Sequence, residues 1–134
     1  KKSGLYGITG LNPDFREIEL ASYEEEKYPK AKIAIEMFTK SIAQYVAKYA
    51  VSLKGIDTIV FTGGIGENQI NIRKKICENL EWMGVKLDLE KNNVRGEEIK
   101  ISADDSKINV YIVPTNEELV IARDTKTLVE GMKA

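Results

Sequence analysis

The stretch Val60-Phe61-Thr62-Gly63-Gly64-Ile65-Gly66-Glu67-Asn68 constrains the fold more than any other part of this chain. The residues from Ile59 to Thr62 are apolar or β-prone and read as a buried strand. Three glycines within four positions follow, and then a helical pattern over 68–83. A strand, a glycine turn and a helix bring backbone close to a phosphate. Glycines remove the Cβ that would block the approach, and free N–H groups at a helix start favour an anion. No Lys-Ser/Thr pair follows, so this is not a P-loop, and Gln69 stands where a dinucleotide fingerprint needs its third glycine. On spacing alone the turn fits a phosphate site and equally a tight strand-to-helix connection with no ligand.

The rest of the chain surrounds this unit with helices and short strands. The first ten residues are glycine-spaced and read as a loop. Asn12, Pro13 and Asp14 have the chemistry of a helix start, and that helix ends near residue 20 or 23. Pro29 opens the longest element, predicted over 29–53, with Ile33, Met37, Phe38, Ile42, Tyr45, Val46, Tyr49 and Leu53 forming a broad apolar stripe. Such a stripe reads as core or subunit interface. Residues 57–62 are predicted as the central strand, with further strands at 85–89, 99–102 and 108–113, Val110 and Ile112 of the last sharing one face. Pro114 stops that strand, and Thr115 or Asn116 caps a final helix over 117–130. The order is α/β with a mixed sheet flanked by helices.

Composition narrows the function classes. At 134 residues the chain is one domain or part of one, and its 43% hydrophobic content suffices for a core. A net charge of −1 supplies no basic field for nucleic acid, and no apolar run reaches the ~18 residues of a membrane span. The single cysteine, Cys77, cannot form an internal disulfide, which fits a reducing cytoplasm, and no histidine is present to activate it as a nucleophile. It is expected on the buried side of its helix.

Four words of this sequence, in order, resemble the acetate kinase family. Thr62 to Asn68 resembles that family's Thr-Ala/Gly-Gly-Ile-Gly-Glu-Asn turn. The segment from Ser3 to Gly10 is similar to its Ser-Gly-x-x-Gly-x-Ser/Thr-Gly. Asp14-Phe15-Arg16 is similar to its Asp-Phe/Met/Val-Arg, and the run from Pro114 to Arg123 is similar to its Pro-Thr-Asn-Glu-Glu-x-x-Ile-Ala-Arg. The resemblance implies a ribonuclease-H-like (actin-like ATPase) fold, here in part, with residues 1–134 forming a single C-terminal fragment of the kinase's nucleotide-binding lobe.

The same resemblance implies Mg²⁺-dependent transfer of a phosphoryl group from ATP to acetate, giving ADP and acetyl phosphate in a cytoplasmic homodimer. It assigns Asp14, Phe15, Arg16, Gly64, Ile65, Gly66, Glu67 and Asn68 to the nucleotide and Glu117 to the metal. For Glu67 and Asn68, helix capping is the alternative; for Arg16, a solvated arginine at a capped helix start; for Glu117, an acid favoured by the helix dipole. The family's catalytic histidine and acetate-side arginines have no counterpart here, so no catalytic residue is assigned and the chain alone is expected to be inactive. A propionate or other short-chain acyl kinase, and a non-catalytic nucleotide-binding or dimerisation module, are the other readings.

Overall fold

A computed structural model describes residues 4–11 and 14–132. Three helices come first: α1 (Gly4–Thr9), α2 (Phe15–Ala21) and α3 (Pro29–Ser52). Then follow β1 (Thr58–Phe61), α4 (Gly63–Asn68), α5 (Ile70–Glu78), a 3₁₀ turn (Glu81–Met83), β2 (Ile99–Lys100), β3 (Asn109–Ile112) and α6 (Glu117–Met132). The chain is thus α/β, with a small mixed sheet flanked by helices. The strand order is β1-β3-β2, with β1 parallel and β2 antiparallel to β3.

Several elements differ from the sequence reading. The first residues are helical from Gly4 rather than a loop, and α1 packs on α3. Asn12 and Pro13 lie outside the described residues; Asp14 is the N-cap of α2, its side chain accepting from the Arg16 N–H at 2.9 Å. The strand expected at the centre, β1, is at the edge of the sheet. β3 takes the middle, because its alternate residues Val110 and Ile112 are fully buried while β1 buries chiefly Phe61. The expected strand at 85–89 is reduced to one bridge, Leu87 to Ser102. Asp88 ends it by turning its carboxylate onto the N–H groups of Glu90 and Lys91, the start of a local turn.

The long helix also packs differently. Its buried face is made of small residues, Ala31, Ala34, Thr39, Ala43 and Ala50, with Ile35 among them. Phe38, Ile42 and Val46 pack beside that face, whereas Ile33, Met37, Tyr45 and Tyr49 are exposed. Alanines let α1, α2 and α5 approach α3 closely, so the face with the smallest side chains is the buried one. The core joins Ile18 of α2 and Ile35 of α3 to Phe61, Ile72, Ile76, Leu80, Val85, Ile101, Val110 and Ile112. Cys77 is buried there as expected, and burial pushes its thiol up to about 12, which leaves no thiolate at neutral pH. In α6 every residue from 118 to 132 is exposed. Among the described residues no helix is long and apolar enough to cross a membrane.

Candidate functional site

The glycine stretch is not a loop leading into a helix; it is itself the short helix α4. Thr62 ends β1 in extended conformation, and Gly63 has φ +70°, a turn that a residue with a Cβ makes only under strain. One predicted helix over 68–83 is instead two helices broken at Gln69, followed by the 3₁₀ turn. The cause of the break is Arg73. The carbonyls of Gly66 and Glu67 would accept from residues 70 and 71 in an unbroken helix. They accept from Arg73 Nη1 instead, at 3.0 and 2.9 Å. The other donors of the same guanidinium reach across to the 92–94 segment: Nε to Asn92 Oδ1 and Nη2 to the carbonyls of Asn92 and Val94, each at 2.8 Å. Arg73 is 0% exposed, all five of its donors are used, and desolvation depresses its pKa.

Glu67 binds α4 to a second distant segment. Its Oε1 accepts from the Gly63 N–H at 2.7 Å, the Thr115 N–H at 2.8 Å and the Thr115 hydroxyl at 2.9 Å. These bonds, the one from the Thr115 N–H foremost, hold its carboxyl below the usual carboxylate range. Asn116 then caps α6, its Oδ1 accepting from the Leu119 N–H at 3.0 Å. Phe15 is set by its ring contact with Phe38, centroids 4.9 Å apart. Asp14 holds the Arg16 guanidinium at 3.1 and 3.3 Å; that bond is the main cause of its lowered pKa, and it keeps the plane of Arg16 oriented.

These restraints leave a cleft of about 570 Å³ between the start of α2 and the flank of α4. Asp14, Phe15 and Arg16 line one side, and Gly64, Ile65, Asn68 and Gln69 the other, with Arg95 on the rim. A second cavity of about 460 Å³ is lined by Gly64, Thr115, Asn116 and Glu118. Gly64 belongs to both, and a Cβ built on it meets nothing within 4 Å, so its backbone is open to a ligand. Six of the eight nucleotide candidates therefore meet around one cleft.

The other two do not. A Cβ on Gly66 would approach the Phe61 carbonyl carbon at 3.2 Å, so Gly66 serves the packing of α4 on β1 and lines neither cavity. The Glu67 carboxylate is committed to Gly63 and Thr115 and lines neither cavity either. Glu117 opens α6, but its side chain lies outside what the structure describes. Its neighbour Glu118 faces the second cavity. Sequence reasoning missed Arg73, Gln69 and Arg95. An arginine on the buried side of an amphipathic helix, in step with Ile72 and Ile76, was the available signal for Arg73.

A model of the acetokinase family matches residues 1–123 of this chain. The chain belongs to the acetokinase family. It is 54% identical to the acetate kinase of Phocaeicola vulgatus over 129 residues, 96% of this chain and 32% of that protein. It is 47% identical to the acetate kinase of Methanosarcina thermophila over 130 residues, 97% and 31% of the two chains. Among solved structures, the acetate kinase of Porphyromonas gingivalis superposes with TM-score 0.82 at 44% identity, covering 96% of this chain and 32% of that one. A propionate kinase from Francisella tularensis superposes with TM-score 0.79 at 43% identity, covering 91% and 30%. The chain spans about a third of the length of the curated relatives it matches. Its cleft is therefore the part of an acetokinase-family protein contributed by this third.

Proposed function

We propose that the complete protein is an acetate kinase and that this chain holds the adenine nucleotide. The observation that carries the reading is convergence: Asp14, Phe15 and Arg16 face Gly64, Ile65 and Asn68 across one cleft, in a chain that matches the acetokinase family along nearly all its length. Arg16, oriented by Asp14, offers a flat guanidinium to the base, and Phe15 an apolar edge. Gly64, at the junction of the two cavities, is where backbone meets the phosphates.

The reaction is in-line transfer of the γ-phosphoryl group. A carboxylate oxygen of acetate bonds to phosphorus as the bond to the β,γ-bridging oxygen breaks, and ADP leaves with the electron pair. Acetate is ionised at neutral pH and needs no base, so positioning and charge neutralisation carry the rate. The residues around the second cavity suit Mg²⁺, because the polar groups of Thr115, Asn116 and Glu118 are oxygens and an amide. Glu117 is the proposed metal-holding carboxylate, with Glu118 beside it. When bound, the ion neutralises charge on the nucleotide's phosphate oxygens.

The fold we assign is the ribonuclease-H-like, actin-like ATPase type, with residues 1–134 as one C-terminal portion of the nucleotide-binding lobe. A cytoplasmic homodimer is part of the same reading; the exposed Ile33, Met37, Tyr45 and Tyr49 on α3 offer apolar surface to a second copy. The likeness to a propionate kinase supports one alternative substrate, propionate. The test is a hydroxamate assay for acyl phosphate on the complete protein with ATP, Mg²⁺ and either acid. Acetyl phosphate formation faster than propionyl phosphate formation is expected, and formation of neither refutes the reading.

A further inference from the structure

Arg95 stands on the rim of the nucleotide cleft and has no assigned role. The backbone around it is fixed. The Val94 carbonyl accepts from Arg73 at 2.8 Å, and the Gly96 N–H donates to the Glu67 carbonyl at 3.1 Å. One neighbour of Arg95 is therefore bound to the Arg73 guanidinium and the other to α4 itself. The side chain itself is exposed and, among the described residues, forms no hydrogen bond or ion pair. Arg16, by contrast, donates from Nε and Nη2 to Asp14. Arg95 is thus a cleft-lining donor that no protein acceptor, among the described residues, occupies.

Its place relative to α4 indicates which part of the ligand it meets. The phosphate end of the cleft is at Gly64, which also faces Thr115, Asn116 and Glu118. Arg95 lies beside Asn68, whose Oδ1 is 3.8 Å from a Cβ built on Gly96. Asn68 is four residues beyond Gly64, about 6 Å further along a helix axis. Arg95 lines this cleft together with Phe15 and Arg16, the pair proposed to face the base, and does not line the second cavity at Thr115, Asn116 and Glu118.

We propose that Arg95 is a specificity-determining residue that donates to the edge of the purine. The inference rests on reading the cleft as a purine nucleotide site. A guanidinium only donates, so its complement is an edge carrying two acceptors, the O6 and N7 of guanine or hypoxanthine. Adenine offers N7 beside an amino donor and meets it with one bond. Arg95 therefore widens base acceptance from adenine toward 6-oxopurines. A glutamine at this position, with one donor and one acceptor, matches adenine instead.

The test is calorimetric titration of ADP and GDP into the complete protein, which reads the base without requiring turnover. Arg95→Ala should weaken GDP more than ADP, raising the ratio of dissociation constants by about five-fold to a hundred-fold. Arg95→Gln should raise that ratio at least as far while keeping ADP affinity above that of the alanine variant. A ratio within two-fold of the unmodified protein in both variants overturns the proposal, as does equal weakening of the two nucleotides, the pattern of a phosphate contact or a purely structural role. If the unmodified protein binds neither nucleotide, the reading of the cleft itself fails; if it binds both and forms no acyl phosphate, only the proposed reaction fails.

Discussion

Replacing Arg73 by methionine tests how the site is held together. The substitution keeps most of the side chain's length and removes every donor. Five acceptor contacts are lost, and the two to Asn92, through Oδ1 and the backbone carbonyl, are fully buried. The carbonyls of Gly66, Glu67 and Val94 are only partly buried and water can reach them. Stranding a buried acceptor costs ~1–3 kcal/mol, so the two Asn92 contacts set a loss of ~2–6 kcal/mol. Removing a desolvated cation with no carboxylate partner returns part of this, so we expect a net loss of ~3 kcal/mol, about a hundred-fold in the folded population. Lysine should recover only a fraction, because an ammonium cannot reach α4 and the 92–94 segment together as a planar fork does. Urea unfolding followed by circular dichroism measures the change as a lower midpoint at constant slope. Trp82 is too exposed to serve as the reporter. A midpoint shift worth under ~0.5 kcal/mol would mean that water replaces the guanidinium without penalty, and the account of the break between α4 and α5 would be wrong.

Three further outcomes are expected. The folded state holds Glu67 below its ordinary pKa, so its contribution is complete above the unfolded value and is lost as pH falls through the lowered one. The gap in melting temperature between the unmodified protein and Glu67→Gln should therefore close on acidification, and a gap unchanged from pH 7 to pH 3 speaks against the Thr115 brace. Gly66→Val should lower the melting temperature by forcing α4 off the Phe61 backbone, at a cost of ~1–3 kcal/mol. A melting temperature unchanged in that variant would show that α4 has slack. Glu117→Ala in the complete protein should lower turnover and raise the Mg²⁺ requirement in steady-state kinetics; unchanged dependence on Mg²⁺ removes Glu117 from the metal site.

Much of the fold is legible in the sequence where local chemistry and packing agree. Pro29 opens α3, Asn116 caps α6, and the alternation of Val110 and Ile112 marks a buried strand. The reading goes astray where a distant group decides. Nothing near residue 69 announces a helix break, because the guanidinium that takes the carbonyls also depends on a segment some twenty positions downstream. Size misled on α3, where large apolar side chains suggested the core face and alanines occupy it. The candidate nucleotide residues at the start of α2 and on α4 were readable as motif words, and the structure sets six of them round one cleft. The same words could not separate Gly64, open to a ligand, from Gly66, pressed on a strand. Glu67, readable as a binding residue or a cap, does cap the Gly63 N–H of α4 and with the same oxygen braces a segment 48 positions away.

That brace has a consequence for the order in which the molecule is assembled. The shape of α4 depends on Thr115, and β1 finds its neighbour only when β3 docks, Thr58 against Asn109. Contacts at such separation close large loops, and the entropy of closure makes them late events in folding. The helices of the first fifty residues can form among themselves much earlier, since α1, α2 and α3 touch one another locally. The candidate cleft, assembled from both regions, is then among the last features to acquire its final geometry. The nucleotide proposed for this cleft would find nothing to grip until the sheet is complete. It would act afterwards, by mass action, as a latch on the finished state.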